Sequence, residues 1–406
     1  MITLAKDKFK LKILLSISII LMFLSCSNEK EEKDKLANDL KKKQLEGEWS
    51  ILDEKQEFES IFSYENGVYF LNDSVELFRG YYEAGFDTIR GERCVNYYGN
   101  KTSYTISNDS IFIRNLITKK WGFFGKIGQQ KNDTLNLQLT GTTYRKLCKL
   151  PSKLDTFPDF DQILLSTSGC YGSCQILNIS IKKGGEITFM GERFVKHQGY
   201  YHAKLNKKLT ERIFNKFRRA NPIRLNNFYS VGHTDDETIT TTFIKNGKIV
   251  KSIYDYGNDA PKELIWAYTS LREVDYILKV DSMNPPSIYF PKLSSYTILN
   301  NNKEIHLKKS ESFLLWMELQ KAKTTDIDFI EKYSLTNTHD YDSWGDAPNP
   351  KEKQNKKIIT VTTDGRIYKF TFEDNSFTTL DLGYNFIENN FKPSNFHKKG
   401  KYICLY

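Results

Sequence analysis

The chain has 406 residues, with 59 Lys and Arg against 50 Asp and Glu, a formal charge of +9. At ~100–200 residues per domain this is a chain of several domains, and its 39% apolar and 27% charged residues, with only 10 Pro and 23 Gly, exclude a collagen-like or wholly disordered polymer. A mean hydropathy of −0.53 with a single long apolar run excludes a polytopic membrane protein, and an aromatic share of 14% favours sheets, because flat side chains suit a pleated, half-buried surface.

The first segment reads as an export address. Lys6, Lys8, Lys10 and Lys12 precede the apolar run Ile13 to Leu24, which is too short to span a bilayer and matches the hydrophobic region of a signal peptide. It ends in Phe23-Leu24-Ser25-Cys26, which resembles the lipobox of bacterial lipoproteins, with Phe23 where Leu is commoner. That resemblance implies cleavage after residue 25, a diacylglycerol on Cys26 and a place in the bacterial cell envelope, on the outer membrane. Loss of residues 1–25 leaves a charge of +6. No block of five or six like charges is present, so no nucleic-acid partner is expected. Residues 26–44 read as a charged tether, disordered or frayed helical, and its start, Glu29-Lys30-Glu31-Glu32, resembles the surface-export signals of Bacteroidetes lipoproteins.

Residues 45–150 read as an antiparallel β-barrel or meander. Turn signals recur at Leu71-Asn72-Asp73, Ser107-Asn108-Asp109 and Lys131-Asn132-Asp133, with alternating segments such as Ser110 to Ile113 and Thr134 to Leu139 between them. The Leu45-Glu46-Gly47-Glu48-Trp49 opening and the Tyr144 to Leu147 ending resemble small lipocalin-like domains, which implies a barrel that holds a small apolar ligand unless its own side chains fill it. Cys94 and Cys148 share this module, and in an oxidising compartment they are expected to pair.

After a linker over 150–160, residues 160–280 read as an antiparallel sheet with two helices, in the order strands, helix, hairpin, helix. One hairpin turns at Lys183-Gly184-Gly185; a second turns at Asn246-Gly247, a pair suited to a type I′ turn. Leu209, Ile213 and Phe217 share the apolar face of the first helix, which Pro222 ends. Asp259 is placed as the cap of the last helix, with Leu264, Tyr268, Leu271 and Val274 on one face. The stretch resembles an uncharacterised family of exported bacterial proteins, domain of unknown function 6438. The residues that carry the resemblance are Cys170, Gly172 and Cys174 (C-x-G-x-C), Thr234-Asp235, Asn246-Gly247, Ala260-Pro261 and Val274-Asp275, with Gln175 where the family has Pro. It implies a fold and no activity.

Cys170 and Cys174 are expected to form a disulfide that staples a loop. A redox pair and a zinc site with His197 and His202 are the competing readings. His233, Asp235 and Asp236 are the densest cluster of potential metal ligands, set against a solvated turn. Residues 285–406 read as a further α+β module. After a helix from Ser310, Lys321-Ala322, Tyr333-Ser334 and the Asp364-Gly365 turn follow the order of Arg219-Ala220, Tyr229-Ser230 and Asn246-Gly247, which suggests a diverged repeat, with a polar loop over His339 to Lys353. Cys404 is expected as a free thiol.

No G-x-S-x-G, H-E-x-x-H, Walker A or G-x-G-x-x-G motif occurs. The expectation is a mainly β and α+β, lipid-anchored protein without catalytic residues or cofactor, which binds an apolar ligand or an envelope protein. The alternative is a hydrolase or thiol-redox enzyme using Cys170 and Cys174 or the loop from His233 to Asp235.

Overall fold

A computed structural model describes residues 35–52, 67–88, 91–139, 141, 143–150, 154, 159–278, 281–282, 295–338 and 358–400. Cys26, Cys404, the signal segment and the loop from His339 to Lys353 lie outside them. Two compact units are present: residues 1–82 with 98–150, and residues 83–97 with 151–406.

The first unit is built on a closed antiparallel barrel of eight strands in sequence order. These are β1 (Gly47–Leu52), β2 (Gly67–Phe70), β3 (Ser74–Asp87), β4 (Glu92–Ser107), β5 (Ser110–Arg114), β6 (Trp121–Lys131), β7 (Thr134–Gln138) and β8 (Tyr144–Lys149), and β8 closes on β1 through Trp49 opposite Lys149. Alternation decides what points inward. Trp49, Val68, Phe70, Ile111, Leu135, Leu137 and Leu147 are all buried in the interior. Phe70 meets Tyr104 and Phe124 edge-on at 5.2 and 6.4 Å, so the barrel is filled by its own side chains, aliphatic more than aromatic. In an up-and-down barrel every second turn falls at the same end. The three Asn-Asp turns therefore share one rim, and Asn108 and Asp109 both take positive φ as a tight hairpin requires.

The second half of the expected tether is not irregular. Residues 35–45 form a helix, α1, whose last residue, Leu45, is buried in the barrel core. Lys41 pairs with Asp109 and Lys42 with Asp73, each at 2.6 Å, and Trp49 Nε1 donates to the Leu45 carbonyl at 2.6 Å. The rim carboxylates supply the partners that a free charged tether would lack.

The second unit holds two eight-stranded sheets. The first comprises β9 (Gln162–Thr167), β10 (Ile176–Lys182), β11 (Glu186–Arg193), β12 (Gly199–Lys204), β13 (Phe228–Ser230), β14 (Thr238–Lys245), β15 (Lys248–Tyr256) and β16 (Asp281–Ser282), in the order β13-β15-β14-β9-β10-β11-β12-β16. It is antiparallel except where β13 lies parallel to β15. Asn246 (φ 50°) and Gly247 (φ 73°) make the expected tight turn. Helix α2 (Lys207–Ala220) buries Ile213, Phe214 and Phe217, and Asn221 in the left-handed conformation ends it ahead of Pro222. Helix α3 (Lys262–Arg272) buries Leu264, Tyr268 and Leu271, and the short α4 (Val274–Ile277) buries Val274. Asp259 does not cap α3. Pro261 stands at that position, and the Asp259 carboxylate accepts the Ser230 N–H instead.

The second sheet comprises β17 (Ser295–Asn300), β18 (Lys303–His306), β19 (Lys323–Thr324), β20 (Tyr333–Thr338), β21 (Ile358–Thr363), β22 (Ile367–Phe372), β23 (Phe377–Asp381) and β24 (His397–Lys398), in the order β19-β23-β22-β21-β20-β17-β18-β24. Between the two sheets lies α5 (Lys309–Lys321), whose run Phe313 to Met317 is buried on every side. A helix apolar all round belongs inside a core. Its residues pack with Leu164 and Ile244 of the first sheet and with Ile298, Leu335 and Phe370 of the second, so residues 160–280 and 285–406 share one core. The repeat is not carried through the topology. Tyr229-Ser230 sits on the edge strand β13, parallel to β15, whereas Tyr333-Ser334 begins β20, antiparallel between β17 and β21. Similar dipeptides thus occupy different places because strand partners are chosen by long-range packing.

Candidate functional site

The C-x-G-x-C stretch leaves the end of β9 as an exposed loop. Cys170 and Cys174 form a disulfide with Cα atoms 5.7 Å apart, and the Gly172 N–H points to Cys170 Sγ at 3.3 Å. The loop is anchored below the staple: Thr167 Oγ1 donates to the Gln175 carbonyl at 2.5 Å and accepts the Leu177 N–H at 3.1 Å. At its crest Tyr171 is 92% exposed.

Beside it runs the loop from Val231 to Glu237, which enters β14. The Tyr171 N–H donates to the Asp235 carbonyl at 3.1 Å, and Ser168 exchanges bonds with Thr238, its N–H donating to the Thr238 carbonyl and its Oγ accepting the Thr238 N–H. The fold therefore brings Cys170, Gly172 and Cys174 next to Thr234 and Asp235. Asp235 holds positive φ (73°), and His233 Nε2 meets Asp236 Oδ2 at 3.0 Å on the surface. Among the described residues, no three His, Cys, Asp or Glu converge as a metal-ligand group.

Behind the loop stands a buried ion pair. Both Glu237 oxygens accept from Arg272 Nη1 of α3, at 2.7 and 2.8 Å, and the Glu237 side chain is 5% exposed. Next to it, Asp255 of β15 accepts the Asp259 and Ala260 N–H groups at 2.8 and 3.2 Å and the Tyr268 hydroxyl at 2.8 Å. Burial pushes its carboxyl up to about 6 against these hydrogen bonds, which act in the opposite direction. This carboxylate gives Ala260-Pro261 its role: it fixes the turn that leads into α3. Asp255 escaped sequence reasoning, although an acid at an inward position of an alternating strand was a usable signal.

The other sequence candidates lie elsewhere. His197 Nδ1 meets Asp275 Oδ1 at 3.0 Å, and Asp275 also accepts the Lys196 and His197 N–H groups. Burial raises the Asp275 carboxyl, with those bonds opposing it. His202 contacts Thr188 on the neighbouring strand β11 and Tyr200 two residues away on its own strand. Neither histidine joins the cysteines. Cys94 and Cys148 are free thiols, which corrects their expected pairing: β4 borders β3 and β5, β8 borders β7 and β1, and no ladder makes them neighbours.

The run Tyr384 to Asn390 acquires a structural account. Helix α6 (Phe386–Asn390) is capped by Asn385. Asn389 donates to the Gly247 carbonyl and Asn390 accepts the Ile249 N–H, so the C-terminal sheet grips the Asn246-Gly247 hairpin. A groove of about 1010 Å³ beside α2 is lined by Lys183, Lys204, Lys207, Arg218 and Phe214. Its cations already face Asp159, Glu186 and Glu211 at 3.4 to 3.9 Å.

Together these elements define an α+β domain that presents a stapled loop. Residues 161–275 match the domain of unknown function 6438. No curated protein matches the chain.

Proposed function

We propose that the protein is a lipid-anchored, non-catalytic protein of the bacterial envelope, held on the outer membrane through Cys26, which binds a protein partner with its disulfide-stapled loop. The observation that carries this is Tyr171, 92% exposed on a loop fixed at both ends. A rigid exposed aromatic binds at low entropic cost and is the residue type that anchors interfaces. The eight-stranded barrel supports the lipocalin-like reading of residues 45–150, but its filled interior favours a protein partner over an apolar ligand.

A photo-reactive residue at Ser173 is expected to capture the partner in intact cells, and Tyr171→Ala to lower that yield about tenfold. Capture that is absent, or indifferent to Tyr171, overturns the reading. The anchor has its own test. Cys26→Ala is expected to move the protein from the membrane pellet to the soluble fraction after a high-salt wash; retention in the pellet refutes lipidation.

A further inference from the structure

We infer that the outer wall of the barrel over β5–β8 is a second membrane contact, which lies against an anionic bilayer surface. The inference rests on the anchored reading above.

Three features carry it. The wall is aromatic on the outside: Trp121 is 52%, Phe123 46% and Tyr144 63% exposed. Phe123 pairs with Phe112 across the β5–β6 ladder, their rings 5.8 Å apart, and Trp121 pairs with Arg114. Lys126, Gln138 and Tyr144 form a further row across β6, β7 and β8, beginning opposite Ser110 of β5.

The wall is also basic. Residues 110–150 contain eight Lys and Arg and one acidic residue, Asp133, whereas residues 47–109 contain five Lys and Arg against twelve Asp and Glu. Because β5 to β8 are consecutive neighbours in the barrel, those eight cations, all on described residues, lie on one side of it. Lys119 and Lys120 stand directly before Trp121 and have no ion-pair partner among the described residues. Amphipathic aromatics with flanking lysines are suited to the headgroup layer, where each lysine near an anionic surface contributes about 1 kcal/mol.

The third feature is reach. Eight residues separate Cys26 from the described start of α1 at Lys35. Even fully extended, that stretch spans no more than ~30 Å, and α1 adds ~16 Å. A barrel so closely held stays within reach of the lipid, and its β5–β8 wall combines exposed aromatics with positive charge. A protein partner for the same wall would need acidic complementarity at a second surface; the bilayer is already within range.

Flotation tests this with the chain from Ser27 to Tyr406, which carries no acyl group. It is expected to float with vesicles of phosphatidylcholine and phosphatidylglycerol and not with phosphatidylcholine alone. The Trp121→Ser/Phe123→Ser pair should weaken binding at least about tenfold, and Lys119→Glu/Lys120→Glu should weaken it and flatten its salt dependence. All four side chains lie on the surface, and circular dichroism checks that the variants fold. Absence of flotation, or variants that float like the parent, overturns the inference. A dimer in light scattering that the aromatic variant dissolves assigns the wall to self-association and also overturns it. Since no lipid is attached in this assay, its failure leaves the Cys26 reading untouched, and failure of the Cys26 test removes the reach argument but not the flotation result.

Discussion

Glu237→Ala is expected to destabilise the second unit by about 3–5 kcal/mol, because it strands the Arg272 guanidinium in a site where both Glu237 oxygens now receive it. Much of that loss is the desolvation of a charge left without its partner, rather than the worth of the pair. Two further variants separate these contributions. Glu237→Gln keeps the shape and one acceptor and should lose less. The Glu237→Leu/Arg272→Met pair removes both charges and should recover most of the loss. Urea midpoints around this double-mutant cycle measure it. If Glu237→Ala costs under about 1 kcal/mol, the pair behaves as a surface ion pair and the loop holds without it. The same variant should also loosen the loop at Asp235, since Glu237 is its last fixed point before β14.

Asp255 gives an expected pH dependence with a defined sign. Its carboxyl is raised from 3.8 to about 6 in the folded chain, chiefly by burial. Between about pH 4 and 6 the native state therefore holds a proton that the unfolded state has released. Its contribution to stability is present below this window and is lost as the pH rises through it. The full shift of roughly two units corresponds to about 3 kcal/mol. Asp275, also raised, adds a fall of the same sign. Asp255→Asn keeps an oxygen for the Asp259 and Ala260 N–H groups but does not titrate. The difference in urea midpoint between Asp255→Asn and the parent should grow in the variant's favour from pH 4 to pH 7. Parallel curves would mean that Asp255 titrates like an exposed acid.

What could be read from the sequence was decided locally. Asn246-Gly247 specifies its own turn, Ile213 and Phe217 specify their helix face, and Cys170 and Cys174 are too close in the chain to be carried apart. Features settled between distant residues could not be read this way. Cys94 and Cys148 share a stretch of sequence but not a ladder, and Tyr229-Ser230 and Tyr333-Ser334 look alike yet pair in different directions. The charged residues of α1 resembled a solvated tether because their partners, Asp73 and Asp109, lie more than thirty and sixty residues away. At the candidate site the staple was legible, but its contact with the Asp235 loop depends on β9 and β14 being neighbours, which neither strand's own pattern reveals.

The placement of α5 determines when this molecule can fold. As the chain emerges N-terminus first, the strands that carry the C-x-G-x-C loop appear well before the helix that covers one of their faces. The Ser310 N–H reaches Thr240 over 70 residues, Lys309 reaches the Thr167 carbonyl over 142, and Asn390 closes on Ile249 over 141. Loops of that length close late, so nascent chains of intermediate length carry a bare sheet face, with Leu164 and Ile244 open to any passing hydrophobic surface. A fragment cut at the end of the 161–275 match would remain in that condition permanently. The segment shared with the family is thus a unit of recognition in sequence, while the unit of cooperative folding runs nearly to the C-terminus.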